Sequence, residues 1–244
     1  MLCDHRVAIV TGAAGSGMGR SIALTLAREG AKVVVNYRTS EESAQAIVDH
    51  IHGRGGAAAA VPADVFEAEG CRYLVAETVE RFGQVDICVI GPGGGWHPGG
   101  LAELDPSAAL EDVYREVAPI YYLVPLVLPG MYRRGWGRLI GIALAPPYDS
   151  PAYPYNVGKA ARAHALRLAR DDVWPNGVTV NVMGPGPVPP MDSLREAVEQ
   201  CDHGPAWQER TTASPQDVAE GVVFLCSEAG RFISGCVLPY MFHR

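Results

Sequence analysis

Tyr155 and Lys159 stand four residues apart in a segment with helical character, and their types and spacing suggest chemistry. Residues at positions i and i+4 share one face of an α-helix, so both side chains can face one site. A free phenol has a pKa of about 10, and a neighbouring ammonium favours the phenolate and lowers that pKa. The pair is therefore suited to exchanging a proton with a substrate oxygen near neutral pH.

A glycine-rich turn, from Thr11 to Gly19, follows an apolar strand at Val7–Val10 and precedes a helical pattern. Glycines allow a tight turn, and the N–H groups at a helix start stabilise phosphate oxygens. The order of strand, turn and helix therefore predicts a dinucleotide site. The candidate contact residues in the turn are Gly12, Ser16, Gly17 and Met18.

The second predicted strand ends in Asn36-Tyr37-Arg38, without an acidic residue. An Asp or Glu at this place would bind the ribose 2′-hydroxyl of NAD. Arg38 can instead pair with a 2′-phosphate, so the sequence favours NADP(H) as the cofactor. The alternative for Arg38 is a solvated surface charge.

Strand-like and helix-like stretches alternate along the chain, and the strands are apolar throughout. Such strands belong in a parallel sheet that is covered on both faces. Right-handed crossovers then predict an α/β fold with one doubly wound Rossmann sheet of about seven strands. We expect residues 1–244 to form a single NADP(H)-binding domain, with loops at 91–100 and 184–210 framing the substrate.

Two long helices are predicted after the fourth strand, and the first of them contains internal prolines. The fourth helix is predicted from Pro106 to Arg133 and should be disturbed near Pro119 and Pro125, because proline lacks a backbone donor. The fifth helix is predicted from Ala152 to Trp174.

Composition argues against several classes of protein. The net charge is −7 without a basic block, which disfavours nucleic-acid binding. No apolar run reaches the roughly 18 residues that a membrane span needs. The six cysteines lack zinc-ligand spacing, so no metal site is expected. With no signal-peptide pattern at the N-terminus, we expect a cytoplasmic protein with reduced cysteines.

On these motifs the sequence resembles the short-chain dehydrogenase/reductase family over nearly its whole length. The turn from Thr11 to Gly19 is similar to the family's Thr-Gly-x-x-x-Gly-x-Gly motif, with one extra residue. The segment from Tyr155 to Lys159 fits its Tyr-x-x-x-Lys motif. The family favours dimers and tetramers through the fourth and fifth helices, which implies a homodimer or homotetramer.

The resemblance also implies roles for individual residues. Asp64 and Val65 match the pair that packs against adenine, and Val188 ends a proline-glycine segment beside the nicotinamide. Lys159 would lie next to Tyr155 and would also hold the nicotinamide ribose. Tyr155 would give a proton to a carbonyl oxygen as hydride arrives from NADPH, or remove one in the reverse direction.

The sequence departs from the family at two members of its Asn-Ser-Tyr-Lys tetrad. Leu144 or a close neighbour stands where the family has Ser, and Glu116 aligns with the Asn of the fourth helix. After the fourth strand, Ile90-Gly91-Pro92-Gly93 replaces Asn-Asn-Ala-Gly, and Gly91 is assigned to cofactor binding. Loss of one donor to the substrate carbonyl can lower the rate roughly 10²–10³-fold.

Three explanations of these departures remain open. The substrate brings its own hydrogen-bonding group, another residue substitutes, or the scaffold has left redox chemistry. The candidate substitutes are Ser150, Tyr148, Tyr153 and His97. Each also has a simpler interpretation, as a turn residue, a pocket wall or a solvated side chain. We interpret Glu116 as a surface carboxylate in preference to a new relay base.

The leading hypothesis is an NADPH-dependent ketoreductase that acts on a C=X group of a fairly apolar, polyketide-like small molecule. The alternative is a non-redox cyclase, isomerase or dehydratase on the same scaffold. A third hypothesis is a cofactor-binding regulatory protein without turnover. The retained Tyr155 and Lys159 argue against the third, since a pure binding protein needs neither.

Overall fold

The computed structural model describes residues 1–93, 97–146, 152–206 and 210–240. The strands are β1 (Val7–Val10), β2 (Lys32–Tyr37), β3 (Ala58–Pro62), β4 (Ile87–Ile90), β5 (Gly137–Ile142), β6 (Val178–Pro185) and β7 (Val237–Tyr240). The helices are α1 (Met18–Arg28), α2 (Glu41–Gly53), α3 (Ala68–Phe82), α4 (Pro106–Arg134), α5 (Tyr153–Leu168), α6 (Arg170–Val173), α7 (Leu194–His203) and α8 (Pro215–Cys226).

The strands pair in parallel in the order β3-β2-β1-β4-β5-β6-β7. This order confirms the predicted Rossmann sheet of seven strands. The order changes direction between β1 and β4, and ligands of such sheets bind outside the carboxyl ends of the strands at that point. The loops after β1, β4 and β5 therefore meet at one edge.

Helices cover both faces of the sheet. Along β2, Val33 and Val35 face the core formed with α1, α2 and α8, whereas Val34 faces the core formed with α3, α4 and α5. Successive side chains of a strand point to opposite faces, so a strand buried on both sides must be apolar at every position. Within the described ranges, no helix combines the length and apolarity needed to cross a bilayer.

The expected disturbance of α4 was wrong, because the helix continues from Pro106 to Arg134 through its internal prolines. Each proline removes one backbone donor. The same helix buries Ile120, Leu123 and Val127 against the sheet. Packing of this apolar face outweighs the lost hydrogen bonds, as tertiary contacts often override helix propensity.

The fifth helix is shorter than predicted. It ends at Leu168, where the Ala169 N–H donates to the Leu166 carbonyl (3.1 Å), and the short helix α6 follows. Such a contact, from residue i to i−3, tightens the last turn of a helix. Trp174 therefore lies outside the fifth helix, in a 3₁₀ turn leading to β6.

Candidate active site

The turn after β1 depends on glycine at two positions. Gly12 has a φ of +63°, and a Cβ there would lie 2.6 Å from Pro92 Cγ. A Cβ at Gly19 would lie 2.7 Å from the Gly12 carbonyl oxygen, so the first turn of α1 packs directly on the loop. The Gly12 N–H donates to Oδ1 of Asn36 (3.1 Å), which links the turn to the end of β2. Backbone conformation and close packing therefore both require the glycines.

The N-terminus of α1 faces open space. Gly17 precedes the helix without a side-chain cap, and a Cβ on it would meet no atom within 4 Å. Ser16 is exposed, and its carbonyl accepts from the Met191 N–H (2.8 Å). The first N–H groups of a helix lack intrahelical partners and carry positive partial charge, so this place can hold a phosphate.

A cavity of about 320 Å³ lies beside the turn and is lined by four predicted binding residues: Gly12, Arg38, Asp64 and Val65. Arg38 Nη1 lies 3.7 Å from Asp64 Oδ2, and the Arg38 side chain is 55% exposed. Arg38 is thus a solvated charge at the cavity wall, where its guanidinium can also reach a ligand. The size and lining of this cavity make it a candidate site for the adenosine part of a dinucleotide.

A second cavity, of about 260 Å³, joins the turn to the ends of β4 and β5. Its walls include Gly12, Gly17, Met18, Gly91 and Ile142. The structure therefore brings Gly91 together with three of the four predicted turn residues, whereas Ser16 does not line this cavity. The two cavities share Gly12 and Pro92, so one extended ligand can occupy both.

Val188 lies just after β6, where it is half-buried against the core beneath α1 and α8. Its predicted contact with a nicotinamide stays a prediction. Gly91 has a clearer place, because its N–H donates to the Thr11 hydroxyl oxygen (2.9 Å) and its carbonyl accepts from Arg162 Nη1 (2.9 Å). Gly91 thus connects the glycine-rich turn to the fifth helix.

Tyr155 and Lys159 lie together on α5, with Lys159 Nζ 5.3 Å from the centre of the Tyr155 ring. Burial and the charge of Arg162 lower the pKa of Lys159, Glu116 opposes both, and the resulting pKa is about 8. Burial and the charge of Glu116 raise the pKa of Tyr155, against the effect of Arg162. The sequence predicted a lowered phenol pKa, so the structure differs: the phenol is kept in its protonated, proton-donating form.

The interpretation of Glu116 as a surface carboxylate was wrong. Glu116 lies on the face of α4 that packs against α5 and is 1% exposed. Its Oε1 lies 3.1 Å from Lys159 Nζ, and its Oε2 lies 2.9 Å from Nε of Arg162. Glu116 is therefore the counter-ion of Lys159, the lysine of the Tyr-x-x-x-Lys motif.

Arg162 is a residue of this site that sequence reasoning missed. It is completely buried three residues after Lys159 and donates to the carbonyls of Glu116 (2.8 Å), Ile142 (2.9 Å) and Pro92. These bonds tie α5 to α4 and to the loops after β4 and β5. An arginine on the same helical face as the Tyr-x-x-x-Lys motif was the available signal.

His97, a candidate substitute for the missing Ser, forms a dyad with Asp112. Its Nδ1 lies 2.9 Å from both carboxylate oxygens of Asp112, which is buried. The His97 side chain itself is 64% exposed and lines a cavity of about 450 Å³ together with Pro154. A histidine oriented by a buried carboxylate can act as an acid or base.

The other candidates are less well placed or lie outside the described residues. Tyr153 is 45% exposed, and its N–H donates to the Gly99 carbonyl (3.1 Å). Leu144 is half-buried just after β5. Tyr148 and Ser150 lie outside the described ranges. In the part of the chain that the structure describes, no group of three or more His, Cys, Asp or Glu side chains could hold a metal ion.

Comparison with known proteins assigns the chain to a family. The family model described as "Enoyl-(Acyl carrier protein) reductase" matches residues 12–240. The chain belongs to the short-chain dehydrogenase/reductase family, whose members are oxidoreductases that bind a nicotinamide cofactor.

Individual relatives and structures agree over almost the whole chain. The 7alpha-hydroxysteroid dehydrogenase of Escherichia coli is 32% identical over 96% of this chain and 92% of its own length. Versicolorin reductase 1 of Aspergillus parasiticus is 34% identical over 96% and 94%. A short chain dehydrogenase from Burkholderia cenocepacia, solved in complex with NADP, is 27% identical with a TM-score of 0.83, covering 100% of this chain and 99% of that one.

Proposed function

We propose that this protein is an NADP(H)-dependent ketoreductase that reduces a carbonyl or related C=X group of a fairly apolar, polyketide-like small molecule. The observation that carries the proposal is the placement of Tyr155 and Lys159 on α5. Arg162, on the same helix, bonds to Gly91, and Gly91 in turn bonds to the glycine-rich turn through Thr11. Catalytic and cofactor groups thus share one edge of the sheet.

The described residues fit a dinucleotide phosphate. The uncapped start of α1 beside Gly17 suits the pyrophosphate, and the cavity at Asp64 and Val65 suits the adenosine. Arg38 at the cavity wall suits a 2′-phosphate, which favours NADP(H) over NAD(H). The NADP in the Burkholderia cenocepacia structure supports the same choice.

When bound, NADPH supplies the hydride for reduction. Tyr155 donates its phenolic proton to the substrate oxygen as the carbonyl carbon gains that hydride, so an alcohol forms and a phenolate remains. Lys159 beside the ring stabilises this phenolate, and by family resemblance it also holds the nicotinamide ribose. The raised pKa of Tyr155 favours the protonated form that reduction requires.

The names of two relatives support the substrate class. A hydroxysteroid dehydrogenase and a versicolorin reductase carry polycyclic, largely apolar compounds in their names. The Pro-rich segment after β6 provides an apolar border for such a ligand here, with Met191 buried behind it.

We also propose that the protein is a homodimer or homotetramer in the cytoplasm. Helices α4 and α5 expose several large apolar side chains: Leu110, Tyr114, Tyr121, Leu126 and Val157. An apolar face of this kind favours association with a second copy. The cytoplasmic location stays an expectation from the sequence.

The test compares the wild type with Tyr155→Phe. NADPH should bind the wild type more tightly than NADH, and NADPH should be consumed with polycyclic ketones, followed at 340 nm. Tyr155→Phe should lower turnover by roughly 10²–10⁴-fold and leave the Kd for NADPH unchanged. Undiminished turnover in the variant would show that Tyr155 is not the proton donor.

A second candidate function is a non-redox cyclase, isomerase or dehydratase, and the His97–Asp112 dyad is the observation that favours it. Such an enzyme would form product without consuming NADPH, and His97→Asn would abolish that product. A requirement for stoichiometric NADPH would exclude this candidate.

A further inference from the structure

The catalytic-motif lysine is surrounded by buried charges rather than by solvent. Lys159, Glu116 and Arg162 are 8%, 1% and 0% exposed, and Glu116 contacts both cations within 3.1 Å. Taking a charge out of water is costly unless it is paired and hydrogen-bonded. Three buried charges lie together next to Tyr155 despite that cost, which indicates that they do more than fill the core.

Two glycines clear the space for the Glu116 carboxylate. A Cβ on Gly93 would clash with Oε1 of Glu116, and a Cβ on Gly158 would lie 2.7 Å from its Cγ. Gly93 belongs to the loop after β4, and Gly158 lies within the Tyr-x-x-x-Lys motif. The loop and the motif helix are both shaped around this one side chain.

Arg162 fixes the carboxylate from the other side. Its Nε lies 2.9 Å from Glu116 Oε2 and donates to the Glu116 carbonyl (2.8 Å). Its remaining donors bond to backbone carbonyls of Gly91, Pro92 and Ile142, so the guanidinium cannot turn away without losing several bonds. A planar guanidinium held in this way is a fixed charge at a fixed distance from its neighbours.

From this geometry we propose that Glu116 and Arg162 are positioning residues for Lys159, which together set the orientation and the charge that Lys159 presents to Tyr155 and to the cofactor. The consequence for catalysis rests on the proposed function. The effect of Glu116 and Arg162 on Lys159 does not rest on the proposed function, because it can be measured without cofactor or substrate.

The charges around Lys159 define the sign of each effect. Among the described residues, Lys159 faces Glu116 from α4, and Tyr155 and Arg162 on its own helix; the loop after β4 contributes backbone groups at Gly91 to Gly93. Asp112, which is paired with His97, lies on α4 one helical turn before Glu116. Glu116 favours the ammonium, whereas burial and Arg162 disfavour it, and the resulting pKa of Lys159 is about 8.

The chain has only two lysines, which makes a direct test possible. Lysine labelled with ¹³C at Cε gives one signal from Lys159 and one from Lys32, which is exposed and serves as the internal reference. The pH titration of both signals is followed by NMR in the wild type, Glu116→Gln and Arg162→Gln. Glu77→Gln, which removes a carboxylate paired with Arg81 on α3, is the matched control.

We expect Lys159 to titrate near pH 8 in the wild type, below the ordinary lysine value of about 10.4. Glu116→Gln removes the counter-ion and should lower the Lys159 midpoint by roughly 1–3 pH units. Arg162→Gln removes a neighbouring cation and should raise it. Opposite shifts distinguish charge control from a general loosening of the structure, which would move the Lys159 midpoint of both variants towards the ordinary lysine value.

The proposal is overturned if wild-type Lys159 titrates at the ordinary lysine value of about 10.4, or if Glu116→Gln leaves its midpoint unchanged. Should Glu116→Gln fail to fold, Glu116→Asp keeps the charge and should keep the wild-type midpoint within about one pH unit. In enzyme assays, the fall of kcat with rising pH should begin at lower pH in Glu116→Gln. A protein that failed to bind NADPH would refute the proposed function and leave the lysine titration intact.

Discussion

The glycine-rich turn and the contact between α4 and α5 both place polar atoms at the edge of an apolar sheet, but with different groups. At the turn the partners are neutral, as in the Gly12–Asn36 bond. Between the helices they are the buried charges of Glu116, Lys159 and Arg162. Neutral groups need only a hydrogen bond when buried, whereas a charge also needs a counter-charge. The turn therefore depends on backbone geometry and the helix pair on charge balance.

The largest effect should come from breaking that charge balance. Glu116→Gln leaves the cations of Lys159 and Arg162 buried without their carboxylate, and the free energy of unfolding should fall by about 3–5 kcal/mol. Urea unfolding followed by circular dichroism measures this change. The double variant Glu116→Gln/Arg162→Met should lose less than the sum of the single variants, because the remaining charge is smaller.

An exposed ion pair provides the matched control. Glu77 contacts Arg81 at 2.8 Å on α3, with Arg81 50% exposed. Glu77→Gln should change the free energy of unfolding by less than about 1 kcal/mol. If Glu116→Gln lowered the free energy of unfolding by as little as this control, the charges between α4 and α5 would not contribute the stability that the comparison assigns to them.

A smaller effect is expected at the neutral region. Asn36 is buried; its Oδ1 accepts from the Gly12 N–H, and its Nδ2 donates to the carbonyls of Val61 (3.3 Å) and Ala63 (3.1 Å). Asn36→Ala leaves these groups without their partner and should cost about 1–3 kcal/mol of unfolding free energy. The same variant should weaken NADPH binding, measured by calorimetry, because the turn loses its support. A larger loss of unfolding free energy in Asn36→Ala than in Glu116→Gln would contradict the comparison of the two regions.

The smallest effect on stability is expected at Arg38, which is 55% exposed. Arg38→Gln should change the unfolding free energy by no more than about 0.5 kcal/mol. It should nevertheless lower the preference for NADPH over NADH by roughly ten- to a hundredfold, since a charged hydrogen bond contributes about 1.5–3 kcal/mol. An equal loss of affinity for NADPH and NADH would show that Arg38 does not bind the 2′-phosphate.

The parts of this protein that local sequence patterns encode were predictable. Strands such as Val33–Val35 are apolar on both faces, and the turn from Thr11 to Gly19 needs glycine for its own backbone. Each pattern lies within one short segment, so its physical reason could be read without knowing the neighbours. The Rossmann sheet followed from their order along the chain.

The charge cluster was not predictable in the same way. Glu116 and Arg162 are 46 residues apart in the chain, and their contact exists only because α4 and α5 pack closely at Gly158. On a single helix, Glu116 is indistinguishable from a surface carboxylate, and the internal prolines of α4 suggested that this long helix would be disturbed.

The sequence by itself determined the alternation of elements, the glycine-rich turn and the spacing of Tyr155 and Lys159, because each rests on neighbouring residues along the chain. Only the tertiary structure decided that Lys159 is buried against Glu116 and that Arg162 completes the set. Whether a carboxylate is solvated or buried depends on which helix covers it, and that is a property of packing rather than of any one segment.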